Sequence, residues 1–167
     1  VNENIILNTA LQTLTLEIEA LQKLKSSIGE RFQTIVKFIY QSKGRLVVTG
    51  IGKSAIIAQK IVATLNSTGT PAIYMHSADA LHGDLGMVQT DDVVIVLSNS
   101  GNTPEIKALV PLIKNFGNTL IAFTGNRDSF LGKNSDIMVS CRIAQEACPN
   151  NLAPTSSTTA QMVMGDA

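Results

Sequence analysis

The chain is poor in the residues on which several kinds of function depend. Its 167 residues hold no Trp, two Tyr and five Phe, an aromatic content of 4%. That is too few for the stacking platforms that single-stranded nucleic acid requires. Charge is sparse at 16% and balanced, 13 Lys and Arg against 13 Asp and Glu. No overall field draws nucleic acid in, although a local anion site stays open. Cys141 and Cys148 are the only cysteines, too few for a disulfide framework or a four-thiolate metal site, and they read as free thiols in a reducing compartment. No spacing of His, Cys and acid suits a metal. No apolar run approaches the roughly 20 residues needed to span a bilayer. The opening "VNENIILNTA" has no basic region followed by an apolar core, so it does not read as a signal peptide. We expect a cytoplasmic protein with no nucleic-acid or membrane partner and no metal.

What is present is apolar: 44% of residues are hydrophobic, enough for one domain with one sizeable core. Residues 1–44 read as helices. Leu7, Leu11, Leu14, Ile18 and Leu21 step by four and three, and after Gly29 a second stretch presents Phe32, Ile35, Val36 and Ile39. Such a stripe docks on its own domain or on a partner subunit, and two heptads alone do not separate these. From Arg45 the pattern changes to short β-branched runs, "RLVVTG", "PAIYMH", "DVVIVLS", "NTLIAFTG" and "SDIMVSC". Helical segments starting near Ser54, Thr103 and Arg127 lie between them. Continuously apolar strands alternating with helices predict a five-stranded parallel sheet, doubly wound in the flavodoxin manner. Ligands of such sheets bind beyond the carboxyl ends of the strands, so the informative residues should follow each strand.

After the third run comes "SNSGNTPEI". Thr103 and Pro104 read as an N-cap and first helical residue, and Ser98, Ser100 and Gly101 form a cup facing that helix end. Helix N-termini hold phosphate through unpaired N–H groups, and hydroxyls add bonds without crowding it. Ordinary capping needs only one Ser or Thr, so the stretch reads as a neutral phosphate cradle. The loop "GIGKSA" is not a Walker loop, because the glycine opening one would fall at Val47, inside a strand. Gly50, Gly52 and Ala55 satisfy a loose dinucleotide fingerprint, but His76 occupies the place of its acid. Lys53 stands at a helix start, where the dipole disfavours a cation, and could polarise a carbonyl or oxyanion beside Ser54. Glu105, in the first turn of the next helix, suits capping and catalysis equally. Glu146 lies in the irregular "AQEACP", and loops so placed often carry catalytic groups. His82, in "ALHGDLG", is either structural or part of the crevice, whereas His76 reads as structural.

Together "GIGKSA", "STGTPA", "ALHGDLGMV", "SNSGNTPEI" and "EACPNNLAPTSSTTAQMVMGDA" closely resemble the bacterial D-arabinose 5-phosphate isomerases, built on the sugar isomerase (SIS) domain. The resemblance runs from about Arg45 to Ala167, which sets a domain at 45–167 behind the helices of 1–44. It implies interconversion of D-ribulose 5-phosphate and D-arabinose 5-phosphate, the entry to 3-deoxy-D-manno-octulosonate (Kdo) for lipopolysaccharide or capsule. By motif it makes Lys53, Glu105 and Glu146 catalytic. Gly52, Ser54, His82, Ser98, Asn99, Ser100 and Thr103 become substrate- and phosphate-binding. It implies a homotetramer with no cofactor. By chemical analogy the activated product CMP-Kdo could occupy the same crevice as a feedback inhibitor.

Two departures bear on this reading. The family's paired CBS modules have no room here, and its "SHPGG" motif, with a catalytic histidine, would lie beyond Ala167. The chain is therefore expected to be truncated, and to isomerise at least about a hundredfold more slowly than an extended one while still binding the sugar phosphate. The alternative is a non-catalytic sugar-phosphate sensor, since SIS domains also serve transcription regulators. A dinucleotide-dependent oxidoreductase rests only on the loose glycine pattern.

Overall fold

Strand formation follows from the β-branched runs, and burial shows how they are used. The computed structural model describes residues 3–167. β1 (Leu46–Gly50) and β3 (Val93–Leu97) are buried at every position, so neither face alternates with solvent. The period of two instead sorts side chains between two cores. Val93, Ile95 and Leu97 join one cluster, and Val94 and Val96 the other. With β2 (Ala72–His76), β4 (Thr119–Thr124) and β5 (Ile137–Ser140), they form a parallel sheet in the order β2-β1-β3-β4-β5. The expected five-stranded, doubly wound sheet is therefore found, with strand ends shifted by a residue or two.

Helices cover both faces. α1 (Glu3–Lys25), α2 (Glu30–Gln41), α3 (Lys53–Ser67) and α7 (Ser156–Asp166) close the first core through Leu24, Ile35, Ala58, Ile61, Ala160 and Met164. α4 (Ser77–Ala80), α5 (Pro104–Phe116) and α6 (Phe130–Asn134) close the second through Ala80, Ile106, Leu109, Ile113 and Leu131. α6 starts three residues after the expected Arg127, because Ser129 caps it by accepting from the Gly132 N–H at 3.1 Å. Chain direction away from the centre reverses between β1 and β3, which places the switch point of the sheet there.

α1 departs from the simplest expectation. It docks on α7 through its second half, with Ala20 and Leu24 buried. Leu7, Leu11, Leu14 and Ile18 remain 54–59% exposed, and only Leu21 of that stripe reaches the core. Among the described residues no helix is long and apolar enough to cross a membrane.

At the amino edge of the sheet, Arg45 and the buried Asp92 form an ion pair at 2.7 Å. Asp92 also accepts from the backbone N–H groups of Arg45 and Gln89, each at 2.9 Å. Burial alone would raise the Asp92 carboxyl. The Arg45 guanidinium and these N–H groups overcome that and hold it below the ordinary carboxylate range.

Candidate functional site

The turn from β3 into α5 is rigid before any ligand is considered. Ser98 is buried, and its Oγ accepts from the Gly101 N–H at 3.1 Å. Ser100 Oγ accepts from the Asn102 N–H at 3.3 Å. A hydroxyl that accepts keeps its own hydrogen to donate. The β4–α6 connection clamps the turn from behind. Gly125 N–H donates to the Asn99 carbonyl at 3.0 Å, Leu131 N–H to the Gly101 carbonyl at 3.0 Å, and Phe130 N–H to Asn102 Oδ1 at 2.9 Å. Gly101 has φ +64°, and a Cβ there would lie 2.2 Å from Ser129 Oγ. Only glycine fits on both counts.

Thr103 is the N-cap of α5 and Pro104 its first residue, as expected, but the Thr103 side chain makes no capping bond. Its Oγ1 is buried and has no partner among the described residues. The N–H groups of the first helical turn therefore open onto the cup unscreened by a cap.

The turn from β1 into α3 lies alongside, since Gly50 pairs in register with Leu97. A Cβ on Gly50 would lie 2.9 Å from the Ser54 carbonyl, so the helix starts hard against the strand end. Gly52 caps it and Lys53 is its exposed first residue. Among the described residues no carboxylate pairs with Lys53. Ser54 donates to Gln161 Oε1 at 3.0 Å, and Gln161, from α7, is 1% exposed. Turned about its terminal bond, that amide would donate to Ser54 and free the serine hydrogen for an anion.

α7 lies alongside α3 in the same direction, with Gln161 against Ser54 and Asp166 against Lys60. Its first residue, Ser156, stands five residues before Gln161 and so overhangs the start of α3 by about 7 Å. Glu146 holds this overhanging end. One carboxylate oxygen, Oε2, accepts from the N–H groups of Thr155 at 2.8 Å and Ser157 at 3.1 Å, and from the Thr155 hydroxyl at 3.2 Å. The Thr155 hydroxyl in turn accepts from the Ala147 N–H at 2.8 Å, and Asn151 Oδ1 accepts from the Glu146 N–H at 2.7 Å. Oε1 of Glu146 takes no part in these bonds. The carboxylate is thus positioned through one oxygen and available through the other.

Lys53, Ser54, Ser98, Asn99, Ser100 and Thr103 therefore lie on adjacent turns, and the Ser54–Gln161 bond ties them to the helix end that Glu146 holds. Glu105 sits half-buried in the first turn of α5. His82 stands outside this network. It is exposed after α4, and its backbone N–H donates to the Asp79 carbonyl at 2.9 Å. His76, read as structural, has Nδ1 3.6 Å from Asp79 Oδ2. Sequence reasoning singles out neither Gln161 nor the clamp of Thr155, Ser157 and Asn151 around Glu146. The Ser/Thr run of "LAPTSSTTAQ" is their one visible signal.

The buried side-chain polar atoms without a hydrogen-bond partner among the described residues are His76 Nδ1, Thr103 Oγ1, Asn118 Oδ1, Ser156 Oγ and Gln161 Nε2. His76 ends β2, Thr103 and Ser156 stand at helix starts, and Gln161 lies in the second turn of α7 against Ser54. An unpaired buried polar atom costs about 1–3 kcal/mol, and a fold tolerates such a cluster most readily where a ligand supplies the bonds.

The arrangement defines a doubly wound α/β protein whose hydroxyl-bearing turns and helix N-termini meet at the switch point, with Lys53 on the neighbouring turn. Residues 38–167 match the SIS domain, and the chain belongs to that family. It is 50% identical over 161 residues to the arabinose 5-phosphate isomerase KdsD of Pseudomonas aeruginosa, covering 96% of this chain and 49% of the relative. It is 47% identical over 163 residues to the arabinose 5-phosphate isomerase KpsF of Escherichia coli O6:H1, covering 97% and 50%. The chain thus spans about half the length of these curated relatives. Among solved structures, an E. coli CFT073 protein in complex with arabinose 5-phosphate superposes with a TM-score of 0.95 at 40% identity, covering 99% of this chain and 88% of that one.

Proposed function

We propose that the chain interconverts D-ribulose 5-phosphate and D-arabinose 5-phosphate, feeding Kdo synthesis for lipopolysaccharide or capsule. The observation that carries this is the cup at α5, with two serine hydroxyls free to donate and a buried Thr103 hydroxyl lacking a partner among the described residues. A phosphate seated there would take bonds from Ser98, Ser100, Thr103 and the α5 N-terminus. Gly52, Ser54 and Asn99 border it and His82 lines the approach. The relatives named above support the substrate.

The sugar then extends from the cup past Lys53 towards Glu146. Aldose–ketose isomerisation takes a proton from C1 of the ketose, passes through an enediol and returns a proton to C2. Glu146 Oε1 is the base, aimed by the three bonds on Oε2. Lys53, unpaired by any described acid, stabilises the developing oxyanion, and Glu105 orients the sugar hydroxyls. The reaction requires no cofactor. Residues 45–167 act as the catalytic domain behind the helices of 1–44, in a cytoplasmic homotetramer, and CMP-Kdo competes for the crevice. Incubation with ribulose 5-phosphate should yield arabinose 5-phosphate, and titration calorimetry should show binding of the phosphorylated sugar but not of arabinose. Binding without any turnover would make the chain a sensor, and equal binding of both sugars would remove the phosphate cup.

A further inference from the structure

β5 is an open edge of the sheet: β4 pairs with one side of it and no strand with the other. The Cys141 N–H donates to the Thr124 carbonyl at 2.9 Å. Successive peptide groups of a strand point to opposite sides, so those of Val139 also face β4 while those of Met138 and Ser140 face outward. The Ser27 hydroxyl, 3.5 Å from the Ser140 carbonyl, stands on that outer side. Edge strands usually discourage pairing with a charge or a proline of their own. Ile137–Ser140 carries neither.

A groove runs along this edge, between β5, α2 and the turn that joins α1 to α2. Three cavities of about 430, 120 and 420 Å³ make it up. The first two share Arg31 and Met138, and the last two share Ser27 and Ser140. Cations stand at both ends, Arg31 and Arg127 around the first cavity and Lys23 and Arg142 around the last. All four are exposed, and none has a carboxylate partner among the described residues. The middle cavity adds apolar walls from Phe32, Ile35 and Val139. Asp136 is the one acid in the lining, and its carboxylate is held by Lys114 and by the Leu120 N–H at 2.8 Å.

Backbone and charge together select the occupant. Met138 offers an N–H and a carbonyl side by side, which another peptide backbone complements and a phosphodiester chain, with acceptors only, does not. A second copy laid edge to edge would bring like charges together. Acids on an incoming segment would instead meet the four cations, and an apolar side chain at its centre would fill the middle cavity. We propose that the β5 edge binds an extended acidic segment of a partner protein, which joins the sheet as an added strand. From Ile137 to Ile143 the groove holds about six or seven extended residues at roughly 3.3 Å each. It shares no residue with the isomerisation chemistry, so the inference does not rest on that reading.

Two experiments test it, with the peptide fluorescein-EETVTEE-amide as probe. By fluorescence anisotropy it should bind the full chain, more weakly as salt rises, while fluorescein-KKTVTKK-amide should not bind. Arg31→Glu combined with Arg127→Glu should weaken binding about tenfold. Both side chains are exposed, and an unchanged urea midpoint would verify that the double variant is folded. The acidic peptide methylated on its three central backbone nitrogens should lose binding, because it keeps the charge but cannot pair with a strand. In amide hydrogen exchange, the Met138 and Ser140 N–H groups should slow about tenfold or more at saturating peptide, while Val139 and Cys141, paired with β4, stay as they are. Failure of the acidic peptide to bind, equal binding of the basic or the methylated one, a double variant that binds as tightly, or unchanged exchange at Met138 and Ser140 would each overturn the proposal. So would protection of those two amides on concentrating the chain alone, which would give the edge to a second copy. None of these results bears on turnover.

Discussion

Glu146 holds the start of α7 and is proposed here as the base that moves the proton, and two substitutions separate the two roles. Glu146→Ala removes an acceptor that serves two backbone N–H groups and one hydroxyl. Losing a cap of this kind costs about 0.5–2 kcal/mol, and more if the donors stay buried. Glu146→Gln keeps an acceptor oxygen for α7 but has no basic oxygen. Its structural cost is roughly 0.5–1 kcal/mol, the difference between charge-assisted and neutral bonds. Against a total stability of about 5–15 kcal/mol, neither change unfolds a measurable fraction of the chain. Turnover should nevertheless fall roughly 10²–10⁴-fold in both variants if Glu146 is the base. The expected pattern is therefore a lower urea midpoint for Glu146→Ala, a nearly unchanged midpoint for Glu146→Gln, and an equal loss of kcat in both at similar KM. Unfolding titrations and a ribulose 5-phosphate assay read the two quantities separately. If Glu146→Gln turns over at close to the parent rate, the carboxylate only holds a helix, and the base must be sought at Glu105.

Three further predictions rest on other atoms. Thr103→Val deletes a buried hydroxyl that has no partner among the described residues, so the free chain should keep or gain stability while sugar-phosphate affinity falls about tenfold or more, the value of one bond to a charged group; unchanged affinity would take Thr103 out of the cup. The Cys141 thiol is pushed up to about 12 by burial, whereas backbone N–H groups of Ala153, Leu152 and Asn150 lower that of Cys148; a thiol reagent should label Cys148 in the folded chain and Cys141 only on unfolding, and early labelling of Cys141 would contradict the fold. Asp92 titrates below its ordinary value in the folded state, so its contribution is present above the unfolded value of about 3.9 and is lost as pH falls through the folded value; Asp92→Asn should be less stable at pH 7 yet lose less stability on acidification, and parallel urea midpoints at both pH values would refute the ion pair's role.

What can be read from the sequence is local, and what escapes is held by contacts distant along the chain. "VVIVL" followed by "SNSGNTP" dictates a buried strand, a polar turn and a helix start within a dozen residues, and the structure places Ser98, Gly101, Thr103 and Pro104 accordingly. The expected start of α6 falls three residues early because Ser129 caps it and also packs against Gly101, a contact from the preceding loop that local pattern does not encode. Gln161 is invisible for a stronger reason. A glutamine in the second turn of a helix looks like a solvated residue until α7 is laid on α3, and only then does it meet Ser54 from 107 positions away.

Glu146 shows the intermediate case. Its place in an irregular loop flags it, but nothing in the local pattern shows that Thr155 and Ser157 hold one of its oxygens. A carboxylate on a loop can serve as the proposed base only if something rigid fixes it, and here the fixing group is the N-terminus of a helix whose own second turn is anchored to Ser54. Lys53 begins one helix and Glu146 holds the start of the other, so the Ser54–Gln161 bond couples the position of the proposed base to that of Lys53. A substitution at Gln161 should therefore disturb catalysis without touching substrate. Gln161→Leu fills the same volume but leaves the Ser54 hydroxyl unpaired, and kcat should fall while phosphate affinity changes little. Loss of phosphate affinity alone would show instead that Gln161 serves the cup.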